Sequence, residues 1–505
     1  MEPSPKCAHT TLLTRPSSYA HIVGYKPYIP QQLFTAATGS RKRIKLHDGG
    51  QNAADIFPAP LILPGDELAL DPKSPPQSFK SWLNEDERNQ VTEDRKTVYV
   101  AAAPIIASSM LSAMESWDVP RSNAVNGARL IGKPDISDIV TYLQAFFHGL
   151  PVKQLPQHLE FTEWTSRRKP KSTAKDKTSP LEYIGCRSVE TDLITRVKVR
   201  HLGKLDDFSP YAHQLNLNDM LDHAISILPK DAYCLILLAD HDLYEDEDDD
   251  FACGRAYGGS RIAVVSNAQY QPALHSWHRI DVSAGHWWPG SHCEEFVKQE
   301  CDKVQRKERS SSKQSIKNCH TSKGPPVEQL HCRGLPLPDD IVKDSLVVDV
   351  GSIAATPLQA ALATHVDNIS KSTMSEDDLG SLYLHRITLT ASHELLHCFG
   401  MDHCVYSACA MQGTASMIED TRQPPLLCQV CESKLARAIV DKSHPSWSKS
   451  SKDGSDQQWW ESQDILKWRR ARHEQLLQFC QGRGNSDLGF GSLGAWTQKY
   501  LNLTG

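Results

Sequence analysis

The segment SLYLHRITLTASHELLHCFGMDHC (residues 381–404) constrains this chain more than any other stretch. From Leu382 to Phe399 it is predominantly apolar, as a buried helix requires, yet it carries His393, Glu394 and His397. Residues four apart on a helix lie one above the other. His393 and His397 can therefore offer two ring nitrogens to one metal ion, with Glu394 beside that face and within reach of a water on the metal. Gly400 is where the helix is expected to stop, because a left-handed residue at a helix C-terminus costs little when it is glycine. The chain can then turn and return His403 as a third ligand. In a helix that simply continued, His403 would lie about 9 Å beyond His397 along the axis. Zinc takes about four ligands, and a catalytic site leaves one position open. Glu394 argues for such a site, since a structural ion has no need of a base.

Directly after the histidines come Cys404, Cys409 and, further on, Cys428 and Cys431. Four cysteines in two close pairs suit a closed tetrahedral thiolate site for a second, structural zinc. Reduced core cysteines and a disulfide pair are the alternatives. The ion would pin the loop after the active helix to a following helix that begins near Cys428. Its binding would contribute folding free energy directly. Met411, two residues after Cys409, is a candidate for a methionine turn beneath the histidines, packing against them without binding metal.

Elsewhere the patterns alternate between helix and strand. DISDIVTYLQAFFHG (135–149) and LNLNDMLDHAISIL (215–228) have helical spacing. LITRVKVRHLG (193–203) alternates like a strand, YCLILLA (233–239) reads as a buried one, and RIAVVS (261–266) as another. The order predicts a mixed α/β (α+β) fold, with a twisted mixed sheet and an active-site helix. Residues 1–85, rich in Pro, Gly, Ser and Gln, are expected to be mostly disordered. Residues 86–130 are an extension of uncertain structure, although TVYVAAAPII could form a short strand. The catalytic domain is placed at 131–440, with insertions near 165–180 and 295–335. A linker and a helical tail occupy 441–505, the tail without an assignable role. The acidic run Glu245 to Asp250 lacks the spacing of a calcium loop and reads as surface. Histidines and cysteines, among them His286 and Cys293, are scattered through 270–339, where a further metal site is the minority reading.

A formal net charge of -6 gives no reason to expect a nucleic-acid substrate. No stretch of eighteen apolar residues marks a membrane span. The N-terminus lacks the apolar core of a secretory signal, so the expected location is intracellular, in cytoplasm or nucleus.

The run His-Glu-x-x-His-x-x-Gly-x-x-His, then Cys-x₄-Cys-x-Met, then Cys-x₂-Cys, resembles the archaemetzincins, a metzincin family of archaea and many eukaryotes. YCLILLADHDLY and FACGRAYGGSRIAVVS resemble the family's central and edge strands, and the likeness spans about 130 to 440. It implies His393, His397 and His403 as ligands of a catalytic zinc, Glu394 as general base, and Met411 as the methionine of the turn. It also implies Cys404, Cys409, Cys428 and Cys431 as ligands of a second zinc. The function that follows is peptide-bond hydrolysis through a zinc-bound water, by a monomer acting on a peptide or protein. The segment Arg261, Ile262, Ala263, Val264, Val265 and Ser266 is the expected edge strand for substrate. A zinc-stabilised peptide-binding module with little or no turnover is the alternative function.

Overall fold

A computed structural model describes residues 7, 9–43, 56–164, 181–203, 209–303, 345–347, 355–370, 374–440, 459–484 and 487–504. The expected insertion at 165–180, most of that at 295–335 and the linker 441–458 lie outside them.

The chain opens with β1 (Thr11–Leu13), followed by β2 (Thr97–Ala101), β3 (Ile105–Ile106), β4 (Val152–Gln154) and β5 (Leu159–Glu163). Then come β6 (Tyr183–Ser188), β7 (Leu193–His201), β8 (His213–Asn216), β9 (Ala232–Ala239), β10 (Leu243–Tyr244), β11 (Gly254–Tyr257), β12 (Ile262–Ser266) and β13 (Ser345–Val347). The central sheet runs β11-β12-β9-β2-β4. Its strands are parallel except β11, which is antiparallel to β12. A second sheet, β10-β8-β7-β6-β5-β3, is largely antiparallel.

The mixed α/β architecture expected from the sequence is present. β9 is buried along its whole length, which explains its uninterrupted apolar run: a parallel inner strand is covered on both faces. Alternate residues serve different cores, as the pleat demands. Cys234, Ile236 and Leu238 join the helix Ile136–Phe146 and the long helix Glu376–Cys398. Leu235 and Leu237 join the second sheet through Phe161, Ile184 and Val197, together with the helix Leu217–Ser226.

The long helix starts at a capping box. Ser375 Oγ accepts from the Asp378 amide, and the Asp378 carboxylate accepts from the Ser375 amide at 2.8 Å. Three acidic residues in its first turn oppose the helix dipole. Beyond these it is buried on nearly every side, so its two histidines are brought into the protein interior.

Two expectations need correction. The N-terminal region is not mostly disordered: its described residues, 9–43 and 56–85, wrap the end of the active helix. Tyr25 Oη donates to the Val405 carbonyl at 2.7 Å. Trp82, fully buried, donates from Nε1 to the Phe399 carbonyl at 2.8 Å. Gln77 donates from Nε2 to the Gly400 carbonyl at 2.8 Å. Such a segment builds no core of its own. It places a few large side chains on a preformed surface, so its mean composition looks like that of a disordered chain. Nor is the sheet confined to the stretch beyond 131, since β2, from the extension thought uncertain, lies between β9 and β4.

The C-terminal helices Gln463–Arg483 and Leu488–Thr504 close the other side. Buried Glu432 accepts from Arg472 at 3.1 Å and from His473 at 2.8 Å, and Arg472 also donates to the Phe146 carbonyl at 2.8 Å. No helix among the described residues is long and apolar enough to cross a membrane.

Candidate active site

The long helix stops where the sequence indicated. Gly400 has φ +74°, in the left-handed region, and its amide donates to the His397 carbonyl at 2.9 Å. The chain then reverses and brings His403 to the two helical histidines. Ring centroids lie 4.8 Å apart for His393 and His397, and 5.2 Å from each of these to His403.

The outer nitrogen of each ring faces an oxygen acceptor. His393 Nδ1 lies 2.7 Å from the Ala410 carbonyl, and His397 Nδ1 lies 2.6 Å from the Met401 carbonyl. His403 Nδ1 lies 2.7 Å from Glu67 Oε1. Such oxygens only accept, so the proton sits on Nδ1 in all three rings, and all three Nε2 lone pairs are bare. His393 Nε2 and His397 Nε2 are 3.1 Å apart. Two bare lone pairs at that separation repel unless a cation lies between them. Tetrahedral zinc with nitrogens at about 2.0 to 2.1 Å separates its ligand atoms by about 3.4 Å. The ligand atoms of the three rings all lie within 4.8 Å of one another, so the set fits the ion. Burial first, then the neighbouring rings, push His393 well below the ordinary histidine value, and burial brings His397 to about 4. Both rings are therefore neutral, the form that ligates. His403 is opposed by burial but held above its ordinary value by Glu67.

Glu394 borders the same space. Burial pushes its carboxyl up to about 8, against the lowering pull of His403 and Arg255. It packs beneath β11: a Cβ built on Gly254 would sit 3.1 Å from Glu394 Cγ and 3.2 Å from the Val264 carbonyl. His393, Glu394 and His403 line a cleft of about 350 Å³ with Glu67, Gly254 and Tyr270.

The expected substrate strand needs correction. Arg261 sits in a turn at φ +63°, and Ile262 to Ser266 form β12, which is hydrogen-bonded on both sides, to β11 and β9. The edge beside the cleft is β11, Gly254–Tyr257, which among the described residues pairs with β12 alone. The short 3-10 turn Gly258–Ser260 joins a hairpin whose outer arm is too short and polar to stand out in the sequence.

Cys404, Cys409, Cys428 and Cys431 come together as the spacing suggested. All four are buried, with Sγ atoms 3.7 Å apart for Cys404 and Cys428 and 4.0 Å for Cys409 and Cys431. A disulfide needs about 2.05 Å. Thiolates at about 2.3 Å from a tetrahedral zinc lie about 3.8 Å apart, so the cluster fits that ion. Met411 is fully buried between the two sites, next to the carbonyl that holds His393, and its own carbonyl accepts from the Cys404 amide at 2.6 Å. The acidic run is tied to the surface by Lys198 on Glu247 and Arg255 on Glu245.

Glu67 had no signal in the sequence. It lies in the one-turn helix Glu67–Leu70, more than three hundred residues before its partner. Asp66 pairs with Arg422 at 2.5 Å, and the Glu67 amide donates to Glu419 at 2.9 Å. These contacts set the carboxylate in the space left open by the absent side chain of Gly413.

A buried helix bearing two histidines one turn apart, a third returned past a left-handed glycine, and a sheet edge alongside define a metzincin-type metallopeptidase framework. Residues 361–437 match the model of Peptidase family M54. That stretch, which carries the three histidines and the four cysteines, is where the chain is similar to the archaemetzincins. Archaemetzincin-2 of Macaca fascicularis is 21% identical over 420 residues, 83% of this chain and 79% of that protein. Archaemetzincin-2 of Homo sapiens is 20% identical over the same shares. Archaemetzincin of Methanopyrus kandleri is 39% identical over 58 residues, 12% of this chain and 33% of that protein.

Proposed function

We propose that this chain is a working peptidase that hydrolyses peptide bonds in the cleft between the long helix and β11. The observation that carries the reading is the orientation of the three histidines, whose Nδ1 protons are all engaged outward so that three bare Nε2 atoms face one point beside Glu394. His393, His397 and His403 would hold zinc, which supplies a Lewis acid for the scissile carbonyl and lowers the pKa of a water toward about 7.

The remaining work falls to protein groups. Glu394 accepts the proton of the attacking water and passes it to the leaving amine. The free edge of β11 takes an extended peptide as an added strand, which presents the peptide's backbone to Glu394. Glu67 fixes the tautomer and ring orientation of His403, the only ligand that lies off the helix. Cys404, Cys409, Cys428 and Cys431 would hold a second zinc that pins the loop carrying Ala410 and Met411, with Met411 as the methionine of the turn.

The test is a peptide library incubated with zinc-loaded protein, the new termini being mapped by mass spectrometry, with Glu394→Gln at equal zinc content as control. Termini made by the wild type alone support the proposal and give the side-chain preference. Silence from both samples would leave a zinc-stabilised binding module.

A further inference from the structure

A third cluster of metal-binding side chains lies outside both sites described above. It joins the start of the chain to the loop before residue 293. The ligand atoms of Cys7, His9 and His286 all lie within 4.8 Å of one another. Cys293 Sγ lies 3.1 Å from Cys7 Sγ but more than 4.8 Å from at least one of the other ligand atoms, so it would join the set by a turn of its side chain. The four residues stand as Cys-x-His and His-x₆-Cys, separated by 276 positions between His9 and Gly285, the residue before His286.

Each ring has a nitrogen that could serve as a ligand. His9 Nε2 lies 2.8 Å from the Gly285 carbonyl, which can only accept. Nε2 therefore carries the proton, and Nδ1 is left with a bare lone pair. His286 stacks on Phe296 with centroids 4.1 Å apart and planes 10° apart. Its Nε2 is buried and has no hydrogen-bond partner. A buried nitrogen left unpaired is costly, and such an atom calls for an explanation. A cation held by that nitrogen, by the His9 lone pair and by two thiolates supplies one. His9 and Cys293 are buried, at 6% and 2% exposure, so a bound ion would be shielded from solvent. Cys7 Sγ also lies 3.9 Å from Glu295 Oε2.

We infer that Cys7, His9, His286 and Cys293 form a structural zinc site. Two thiolates and two imidazoles are a set that zinc takes in closed tetrahedral geometry, with no position left for a water. Zinc would part the two sulfurs from 3.1 Å to about 3.8 Å. The ion clips the N-terminal segment in place. That segment pairs onward with the strand of chain leading to Glu67: the Ala59 amide donates to the Thr14 carbonyl at 2.9 Å, and the Ser17 amide to the Leu61 carbonyl at 2.9 Å. The inference does not depend on the peptidase reading or on the other two zinc sites.

The test compares zinc per chain, by plasma mass spectrometry, in reduced full-length wild type, Cys7→Ser, His286→Ala and the double variant, after dialysis against a weak chelator. Each single variant is expected to hold one zinc fewer than the wild type, whatever the wild-type total, and the double variant to lose no more than either. Cys7 is partly exposed and is not among the buried core residues, so Cys7→Ser is expected to leave the fold intact. If His286→Ala does not fold, Cys7→Ser carries the comparison alone. Equal zinc in wild type and Cys7→Ser overturns the inference. So does a Cys7–Cys293 disulfide found by peptide mapping of the zinc-loaded chain.

Discussion

Glu67 offers the sharpest test of how the N-terminal region serves the site. Glu67→Ala removes the acceptor that holds the Nδ1 proton of His403, and Glu67→Gln keeps an acceptor but deletes the charge. Outer partners of ligating histidines are worth about 10- to 100-fold in metal affinity. Here the lower end applies, because the side chains of His403 and Glu67 are 39% and 33% exposed and solvent screens their interaction. His393 and His397 keep their carbonyl partners in either variant. Glu67→Ala should therefore weaken zinc at the histidine site by about tenfold, near 1.4 kcal/mol, and Glu67→Gln by less. Chelator competition on the full chain measures this. The cysteine-bound zinc, which Glu67 does not touch, is an internal standard that should not move. An unchanged dissociation constant for Glu67→Ala would show that His403 needs no help from the N-terminal region, and the reasoning would fail.

Further perturbations follow from the same geometry. Gly254→Val would set a branched side chain against Glu394 Cγ and the Val264 carbonyl, so turnover should fall by more than tenfold while zinc content stays the same. Wild-type turnover in that variant would separate β11 from the cleft. Acid should unfold the chain between about pH 6.5 and 4. Burial lowers His223, His241 and His365 to about 4, so between those values only the unfolded chain binds their protons, and stability falls as pH falls. Each contributes about 3 kcal/mol of loss, against a total stability of about 5 to 15 kcal/mol. An unfolding titration in urea that stayed flat from pH 7 to 4 would contradict it.

The sequence was most informative where chemistry imposes spacing. His393, His397, Gly400 and His403 read as one device because ligand geometry and helix termination leave little freedom. The four cysteines were legible for the same reason. β9 announced itself because a strand covered on both faces must be apolar throughout. Legibility ended where a residue's role depends on a partner far along the chain. Glu67 is an unremarkable acid until Asp66 and Glu419 anchor its backbone opposite His403. Trp82 and Tyr25 lie in proline-rich, polar surroundings and gain their meaning only from the carbonyls of Phe399 and Val405. The hairpin misled for a different reason. Ile262 to Ser266 has the stronger strand pattern because it is the inner strand, whereas the true edge, Gly254–Tyr257, is half-exposed and carries the pattern of a loop.

The central claim is that three histidine Nε2 atoms hold one zinc beside Glu394. Anomalous diffraction from zinc-loaded crystals, recorded on both sides of the zinc absorption edge, tests it most directly. The account predicts a peak about 2.0 to 2.1 Å from Nε2 of His393, His397 and His403. A chain fully loaded at its cysteines but with no anomalous peak among the three histidines would contradict it.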